Sequence, residues 1–367
     1  MKKITVVAGT RPEIIKLAPL IEQLRDCCDL SFVATGQHDE MSIQALDIFN
    51  LKPELSLELM QKAQTPSAFI SIALPKLNHI LASEKPDVVI AQGDTATTFA
   101  TALASFHAQI PFAHVEAGLR TGNLDSPFPE EAYRSMLSRI ATFHFCPTPI
   151  AVNNLSAEGI TKNVYLTGNT VVDALNHISE KIKADNFKIN TEIQRIFEEA
   201  EGKQLILVTG HRRENHHQPL EVLCQSIKHV ANKCPKTHFV FPVHLNPVVS
   251  ELVYSQLANI NNVSLIAPLD YLSTISLLLR ADLVVTDSGG IQEEAPYCNT
   301  FILVTRENTE RPEVVGNGFG KLLPLTSVEI VAAEIENQLE HPTAIPKDKP
   351  FGDGTAAAQI KEILCSS

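Results

Sequence analysis

Three carboxylates stand at places where predicted strands give way to loops or helices. Asp94 follows the apolar run VVIAQG, Glu116 follows PFAHV, and Glu130 opens the helical pattern 129–140. Carboxylates gathered at one pocket repel one another and lose hydration, which raises the proton affinity of one or more and permits acid/base chemistry near neutral pH. Arg134 lies four residues beyond Glu130, the spacing of a helical ion pair. Glu130 and Glu131 also fit ordinary charge placement in a first helical turn, whereas Glu116 follows a buried-looking strand and precedes Ala117-Gly118. His211, flanked by Arg212 and Arg213, titrates near neutrality and offers a general acid or a partner for a leaving group; the plainer reading is a loop histidine.

A second set of residues suits an anion. In Asp287-Ser288-Gly289-Gly290, glycines between a strand and a helix let backbone N–H groups approach a phosphate, although a tight turn has the same composition. Glu294, one turn into that helix, can accept the two hydroxyls of a ribose or can simply favour the helix start. Arg11 at the end of the first strand offers a planar fork to a diphosphate, and Lys16 adds a point charge or is solvated. Neither a P-loop nor a GxGxxG fingerprint is present, so ATP and NAD are not implied. His114-Val115-Glu116 has the HxE spacing of zinc deaminases without the second, cysteine-containing motif, which argues against a metal there.

These groups need strand ends to carry them. In an open parallel α/β sheet the carboxyl ends of the strands open into the crevice where ligands bind. The first half alternates ITVVAG, LSFVATG, DVVIAQG, PFAHV and FHFCP with amphipathic helical stretches and ends near VYLTGN. The alternation restarts with LILVTG, THFVFPV, NVSLIAP, DLVVTDS and TFILVT. The expected fold is therefore α/β, with two Rossmann-like doubly wound domains facing a cleft. The boundaries expected are 1–169 for the first domain and 170–351 for the second, with a terminal helix at about 352–367 docking back onto the first. Thr65-Pro66 and Asn246-Pro247 predict helix starts, and Gly316 to Gly320 reads as a loop.

A chain of 367 residues with 44% hydrophobic and 20% charged residues suits two soluble domains. No apolar stretch approaches the roughly 20 residues of a membrane span, and charges at Arg11, Glu13 and Lys16 interrupt the first run too early for a signal peptide. A net charge of −12 argues against nucleic acid as a partner. Seven cysteines, with no Cys-x-x-Cys pair, predict reduced thiols in a cytoplasmic protein and no cysteine metal site.

The motifs taken together resemble the non-hydrolysing UDP-N-acetylglucosamine 2-epimerases. They are GTRPEIIKLAPL (9–20), QGDTATTFA (92–100), HVEAGLRTGNLDSPFPEEAYR (114–134), TGNTVVDAL (167–175), TGHRREN (209–215), FPVHLNP (241–247), TDSGGIQEEAP (286–296) and ERPE (310–313), in family order along nearly the whole chain. The resemblance implies a glycosyltransferase-B-like homodimer without metal or cofactor. The implied reaction is the reversible conversion of UDP-GlcNAc to UDP-ManNAc by elimination and re-addition of UDP through 2-acetamidoglucal, supplying ManNAc units for bacterial surface polysaccharide. Matching positions imply that Arg11, Ser288, Gly289, Gly290 and Glu294 hold UDP, with Arg311 nearby. Lys16, Asp94, Glu116, Glu130, Arg134 and His211 would serve the sugar and the departing diphosphate. Other readings are an epimerase of a UDP-diacetamido sugar, a glycosyltransferase of the same fold, or a UDP-sugar sensor without turnover.

Departures from the family pattern include Gln92 where HGDTTTT is usual and Tyr133 in PEEAYR. Another lies in the Gln-His-Arg-x-Met stretch with which bacterial members bind UDP-GlcNAc as an activator, which reads Gln37-His38-Asp39-Glu40-Met41 here. Two adjacent carboxylates there repel a second anionic diphosphate at about 1 kcal/mol per close charge pair, even in high dielectric. The expected outcome is weak or absent activation of the UDP-ManNAc reaction by a trace of UDP-GlcNAc. Progress curves with and without that trace check it, and a long lag abolished by the trace contradicts it.

Overall fold

The computed structural model describes residues 1–36, 40–60, 64–184, 190–210, 212, 215 and 217–366. The chain divides into two compact units, residues 1–177 with 351–367 and residues 178–350. The dividing point lies inside a helix whose first half packs in unit 1 through buried Val171, Val172, Ala174 and Leu175.

Unit 1 holds the strands β1 (Lys3–Ala8), β2 (Asp29–Ala34), β3 (Leu55–Ser56), β4 (Val88–Gln92), β5 (Phe112–Val115), β6 (Phe143–Cys146) and β7 (Val164–Leu166), in the spatial order β3-β2-β1-β4-β5-β6-β7. Between and after them run α1 (Arg11–Arg25), α2 (Glu40–Ile48), α3 (Pro66–Glu84), α4 (Ala96–His107), α5 (Glu130–Ile140), α6 (Pro149–Ala157) and α7 (Thr170–Lys183). Unit 2 begins with α8 (Thr191–Glu199). Its strands are β8 (Gln204–Thr209), β9 (Thr237–Pro242), β10 (Val263–Ile266), β11 (Leu283–Thr286), β12 (Phe301–Val304) and β13 (Gly320–Leu322), ordered β10-β9-β8-β11-β12-β13. Its helices continue with α9 (Gln218–Lys233), α10 (Pro247–Leu257), α11 (Tyr271–Arg280), α12 (Gly289–Glu294), α13 (Pro312–Gly316) and α14 (Val328–Glu340), and α15 (Ala356–Ser366) returns the chain to unit 1. The doubly wound α/β architecture expected from the alternating runs is the one observed. The short strands β3 and β13 were not expected, and β13 begins at Gly320 of the run read as a loop. Two or three residues are too few to show a strand period.

All the described strand pairs are parallel, and such strands need helices on both faces, which is why β4 reads VVIAQ and is buried throughout. In unit 1 the layer between β4 and α3/α4 is filled by Val89, Ala91, Phe69, Leu77, Leu81 and Phe112. In unit 2, Ile206, Val208, Phe239 and Phe241 pack against Leu223 and Ile227 of α9 and Ile335 of α14. The Thr65 and Asn246 side chains accept the N–H groups of Ala68 and Val248, so both proline-marked helix starts are capped as their sequences predict. Each sheet reverses its winding once, between β1 and β4 and between β8 and β11. At such a switch point the two following loops diverge and leave room for a ligand.

Two buried histidines pair across the first sheet, His114 on β5 beside His144 on β6. The His114 Nε2–H donates to the Gly93 carbonyl at 2.7 Å, which holds the turn carrying Asp94 and makes this histidine structural. Burial lowers the pKa of His114 to about 3 and of His144 to about 4. Between about pH 6.5 and these values the unfolded chain takes up protons that the folded imidazoles refuse. Stability is therefore complete above about pH 6.5 and is lost as pH falls, by about 1.4 kcal/mol per pH unit for each imidazole. Urea unfolding of unit 1 across this window should show that slope, and the His114→Gln/His144→Gln double variant should flatten it. An equal slope in the variant would assign the acid lability elsewhere.

Candidate functional site

At the switch point of unit 1, three turns meet. Glu13 at the start of α1 is buried, its Oε2 accepting the N–H groups of Gly9 (2.8 Å) and Thr10 (2.6 Å). Its Oε1 accepts the hydroxyls of Thr95 (2.5 Å) and Thr98 (3.1 Å), so one carboxylate joins the turn after β1 to the turn after β4. Burial raises its pKa, against the lowering effect of these donors. Arg11 is half-buried at the first position of α1, beside Met41.

Glu116, the first residue after β5, has φ 67°, a left-handed conformation that a side chain with a Cβ adopts only at a cost. It is buried, and its Oε2 accepts from Lys16 Nζ at 2.6 Å and from the Gln92 amide. Lys16 is itself buried, which excludes the solvated reading. Its ammonium faces Glu116 within the protein.

Asp94 is half-buried and forms an ion pair with Arg134 Nε at 2.9 Å. Arg134 NH1 reaches Glu131, three residues before it, at 2.9 Å. The i,i+4 spacing from Glu130 therefore does not account for the role of Arg134, because its guanidinium also spans from α5 to the β4 turn. Glu130 stands half-buried at the first position of α5. Glu131, which composition alone left as first-turn charge, is buried, and its Oε1 accepts the N–H groups of Thr121 and Gly122 at 2.9 and 3.0 Å. It ties the loop between Gly118 and Phe128 to α5. Gly118 has φ 89°, and a Cβ there would stand 2.3 Å from the Ala151 carbonyl, so only glycine fits where this loop begins.

Unit 2 builds its switch point with the opposite charge. Asp287, fully buried after β11, accepts at Oδ2 from the Arg212 N–H and the Asn215 amide, each at 3.0 Å, and so holds these two residues that follow β8. Ser288 stands at the N-cap position of α12 without a side-chain capping bond, and Gly289 and Gly290 form the first turn, where helix N–H groups have no intrahelical acceptor. A Cβ on Gly289 would lie 2.7 Å from the Arg311 guanidinium. Arg311 is buried beneath that turn, its Nε on Glu293 at 2.7 Å and its NH1 on Glu310 at 2.5 Å. Arg306 and Arg212 also reach Glu310, at 2.7 and 3.2 Å, and the three guanidinium groups hold its carboxyl well below the usual range although burial opposes this. Glu294, buried, ends α12. His211 and residues 37–39 lie outside the described residues.

The structure thus brings Asp94, Glu116, Lys16 and Arg134 to the β4 and β5 ends of unit 1, with Arg11 and Glu130 on the helices beside them. Ser288, Gly289, Gly290, Glu294 and Arg311 gather around α12 of unit 2. Sequence reasoning missed the partners, namely Glu13, Gln92, Glu131, Asp287, Glu293 and Glu310. The capping-box spacing Thr10-x-x-Glu13 was a signal for the first.

A family model described as UDP-N-acetylglucosamine 2-epimerase matches residues 23–365. UDP-N-acetylglucosamine 2-epimerases of Campylobacter jejuni and Salmonella typhimurium are 43% and 44% identical to this chain, with 99% of the chain covered in each case and 97% and 98% of the relative. The crystal structure of UDP-GlcNAc 2-epimerase from Neisseria meningitidis bound to UDP-GlcNAc superposes with a TM-score of 0.92 at 39% identity, covering all of both chains.

The Lys16–Glu116 pair lends itself to a direct test. Removing one partner of a buried ion pair leaves an uncompensated charge, which costs about 3–5 kcal/mol. Lys16→Met should lower the urea midpoint of unit 1 by that equivalent, and adding Glu116→Gln should recover most of it. A loss under about 0.5 kcal/mol for Lys16→Met would show that the pair is not desolvated.

Proposed function

The chain belongs to the UDP-N-acetylglucosamine 2-epimerase family, and from that premise we propose that it interconverts UDP-GlcNAc and UDP-ManNAc by elimination and re-addition of UDP. The observation that carries this reading is the pair of carboxylates, Asp94 and Glu116, held by cations at adjacent strand ends beside a topological switch point. C2 of the sugar is not acidic by itself. Departure of UDP from C1 gives an oxocarbenium-like centre that acidifies the C2 hydrogen. A carboxylate takes that proton, the C1–O bond has broken, and the C1=C2 double bond of 2-acetamidoglucal results. A proton then adds to C2 from the other face and UDP returns to C1, so every atom is recovered and no redox cofactor is required.

Within this proposal Asp94, Glu116 and Glu130 stabilise the cation and move the proton, while Lys16 and Arg134 position two of the carboxylates. Arg11 clamps the diphosphate, and Ser288, Gly289, Gly290 and Glu294 receive the nucleotide part, with Arg311 supporting the glycine turn from below. Unmodified UDP-GlcNAc is the substrate proposed, because it is the molecule bound in the Neisseria meningitidis structure. A glycosyltransferase or a sensor would have no use for this set of carboxylates. ManNAc units made in this way would supply a polysaccharide.

Turnover in deuterated water should place deuterium at C2 of the product, because the proton that adds comes from a group that exchanges with solvent. Full retention of the substrate hydrogen at C2 would rule out the elimination route, and no turnover by pure protein would favour a sensor. Asp94→Asn, Glu116→Gln and Glu130→Gln should each lower kcat by about 10²-fold or more with UDP binding little changed. Arg11→Ala should weaken UDP binding by about 2 kcal/mol in calorimetry. An unchanged Kd would remove Arg11 from the diphosphate.

A further inference from the structure

Three cysteines converge on one spot of unit 1, at the end of α1 opposite to the one that meets the switch point of this unit. Cys27 and Cys28 follow α1, and Cys365 lies in the last turn of α15. Their Sγ atoms form a triangle with sides of 3.2 Å (Cys27 to Cys365), 3.5 Å (Cys28 to Cys365) and 3.6 Å (Cys27 to Cys28). No local spacing reveals this group, since 337 residues separate Cys28 from Cys365.

We propose that Cys27, Cys28 and Cys365 form a binding site for a thiophilic d10 cation, zinc(II) or copper(I), which fastens the C-terminal helix to α1. A cation about 1.2 Å out of the plane of this triangle lies about 2.3 Å from all three sulfurs, the ordinary zinc–thiolate distance. The site therefore needs no large movement of either helix. A disulfide would use two of the three sulfurs and leave the third, so the convergence of all three favours a cation.

The surroundings are built to hold this geometry. Lys2 Nζ donates to the Leu364 carbonyl at 2.8 Å, and Lys361 Nζ to the Gln23 side chain at 3.4 Å, so the turn of α15 that leads into Cys365 is anchored to the body of unit 1. Ile360 and Leu364 are fully buried along α15, as is Leu24 on α1, and the Leu24 carbonyl accepts the N–H groups of both Cys27 and Cys28. Cys28 is buried, Cys27 half-buried and Cys365 exposed, which gives an ion a path from solvent. Each thiol that ligates releases its proton to solvent, and the soft sulfur set selects zinc(II) or copper(I) over magnesium or calcium.

The test uses the full chain, kept reduced with a phosphine, and cobalt(II) as a spectroscopic substitute for zinc(II). One cobalt per chain should bind with a thiolate-to-cobalt charge-transfer band in the near ultraviolet, and zinc(II) should displace it. Cys365→Ser and Cys27→Ser should each abolish the band with circular dichroism unchanged, whereas Cys234→Ser, in unit 2, should keep it. With free zinc at about ten times Kd, amide exchange through opening of α15 should slow about tenfold. The proposal fails if fully reduced protein gives no band, or if the band survives Cys365→Ser. It also fails if air oxidation yields a Cys27–Cys365 disulfide in protein whose reduced form does not take up cobalt.

Discussion

A buried carboxylate at the end of a parallel strand must be answered by a cation or by hydrogen-bond donors, and much of unit 1 follows from that one requirement. An ion removed from water costs several kcal/mol unless charge and hydrogen bonds replace its hydration. Glu116 meets the cost with Lys16 from α1 and the Gln92 amide from β4. Lys16 can reach because α1 packs beside β1, β2 and β4 with Leu17, Leu20 and Ile21 wholly buried. Glu13, one turn earlier, joins the two turns from which that reach is measured. The position of the Glu116 side chain is thus set by elements that are distant in sequence, α1, β4 and β5.

Unit 2 solves the corresponding problem with the signs exchanged. Its strand order beside the switch point is the same as in unit 1, yet what converges there is guanidinium, from Arg212, Arg306 and Arg311 onto Glu310. The carboxylates beneath hold the arginine side chains in fixed orientations. Asp287 does the same for the backbone, through Arg212 and Asn215. One topology therefore gathers cation-held carboxylates in one unit and carboxylate-held guanidinium groups in the other, because the topology fixes where side chains gather and leaves open which ones they are.

The strands and the positions of Asp94, Glu116 and the Gly289-Gly290 turn were legible because they rest on local pattern. An apolar run followed by a polar turn is visible within ten residues. The partners were not legible, since the Lys16–Glu116 pair spans 100 residues and no period connects its two ends. Arg134 shows the same lesson at short range. Helical spacing pointed to Glu130, whereas the ion pairs with Glu131 and Asp94 follow from which face of α5 turns toward β4. Gln92, noted in the sequence only as a departure from a usual histidine, is the residue that donates to Glu116. The convergence of Cys27, Cys28 and Cys365 is invisible to a search for Cys-x-x-Cys pairs, because a returning helix brings in the third thiol.

The backbone at Glu116 carries a cost that closing the turn does not require. A left-handed residue after a strand is the usual place for glycine, which avoids a penalty on the order of 1 kcal/mol. Gly93 and Gly118, on either side in the same region, have φ of 80° and 89° and avoid it. Glu116 has φ 67° and a buried charge that requires Lys16, so it carries two costs at one position. Neither cost is needed to close the turn, since a glycine would do so without a charge to neutralise. Local rules are broken where another demand outweighs them. Here the demand is for a carboxylate fixed at the strand end, and the left-handed backbone together with Lys16 and Gln92 leaves it little freedom to turn elsewhere.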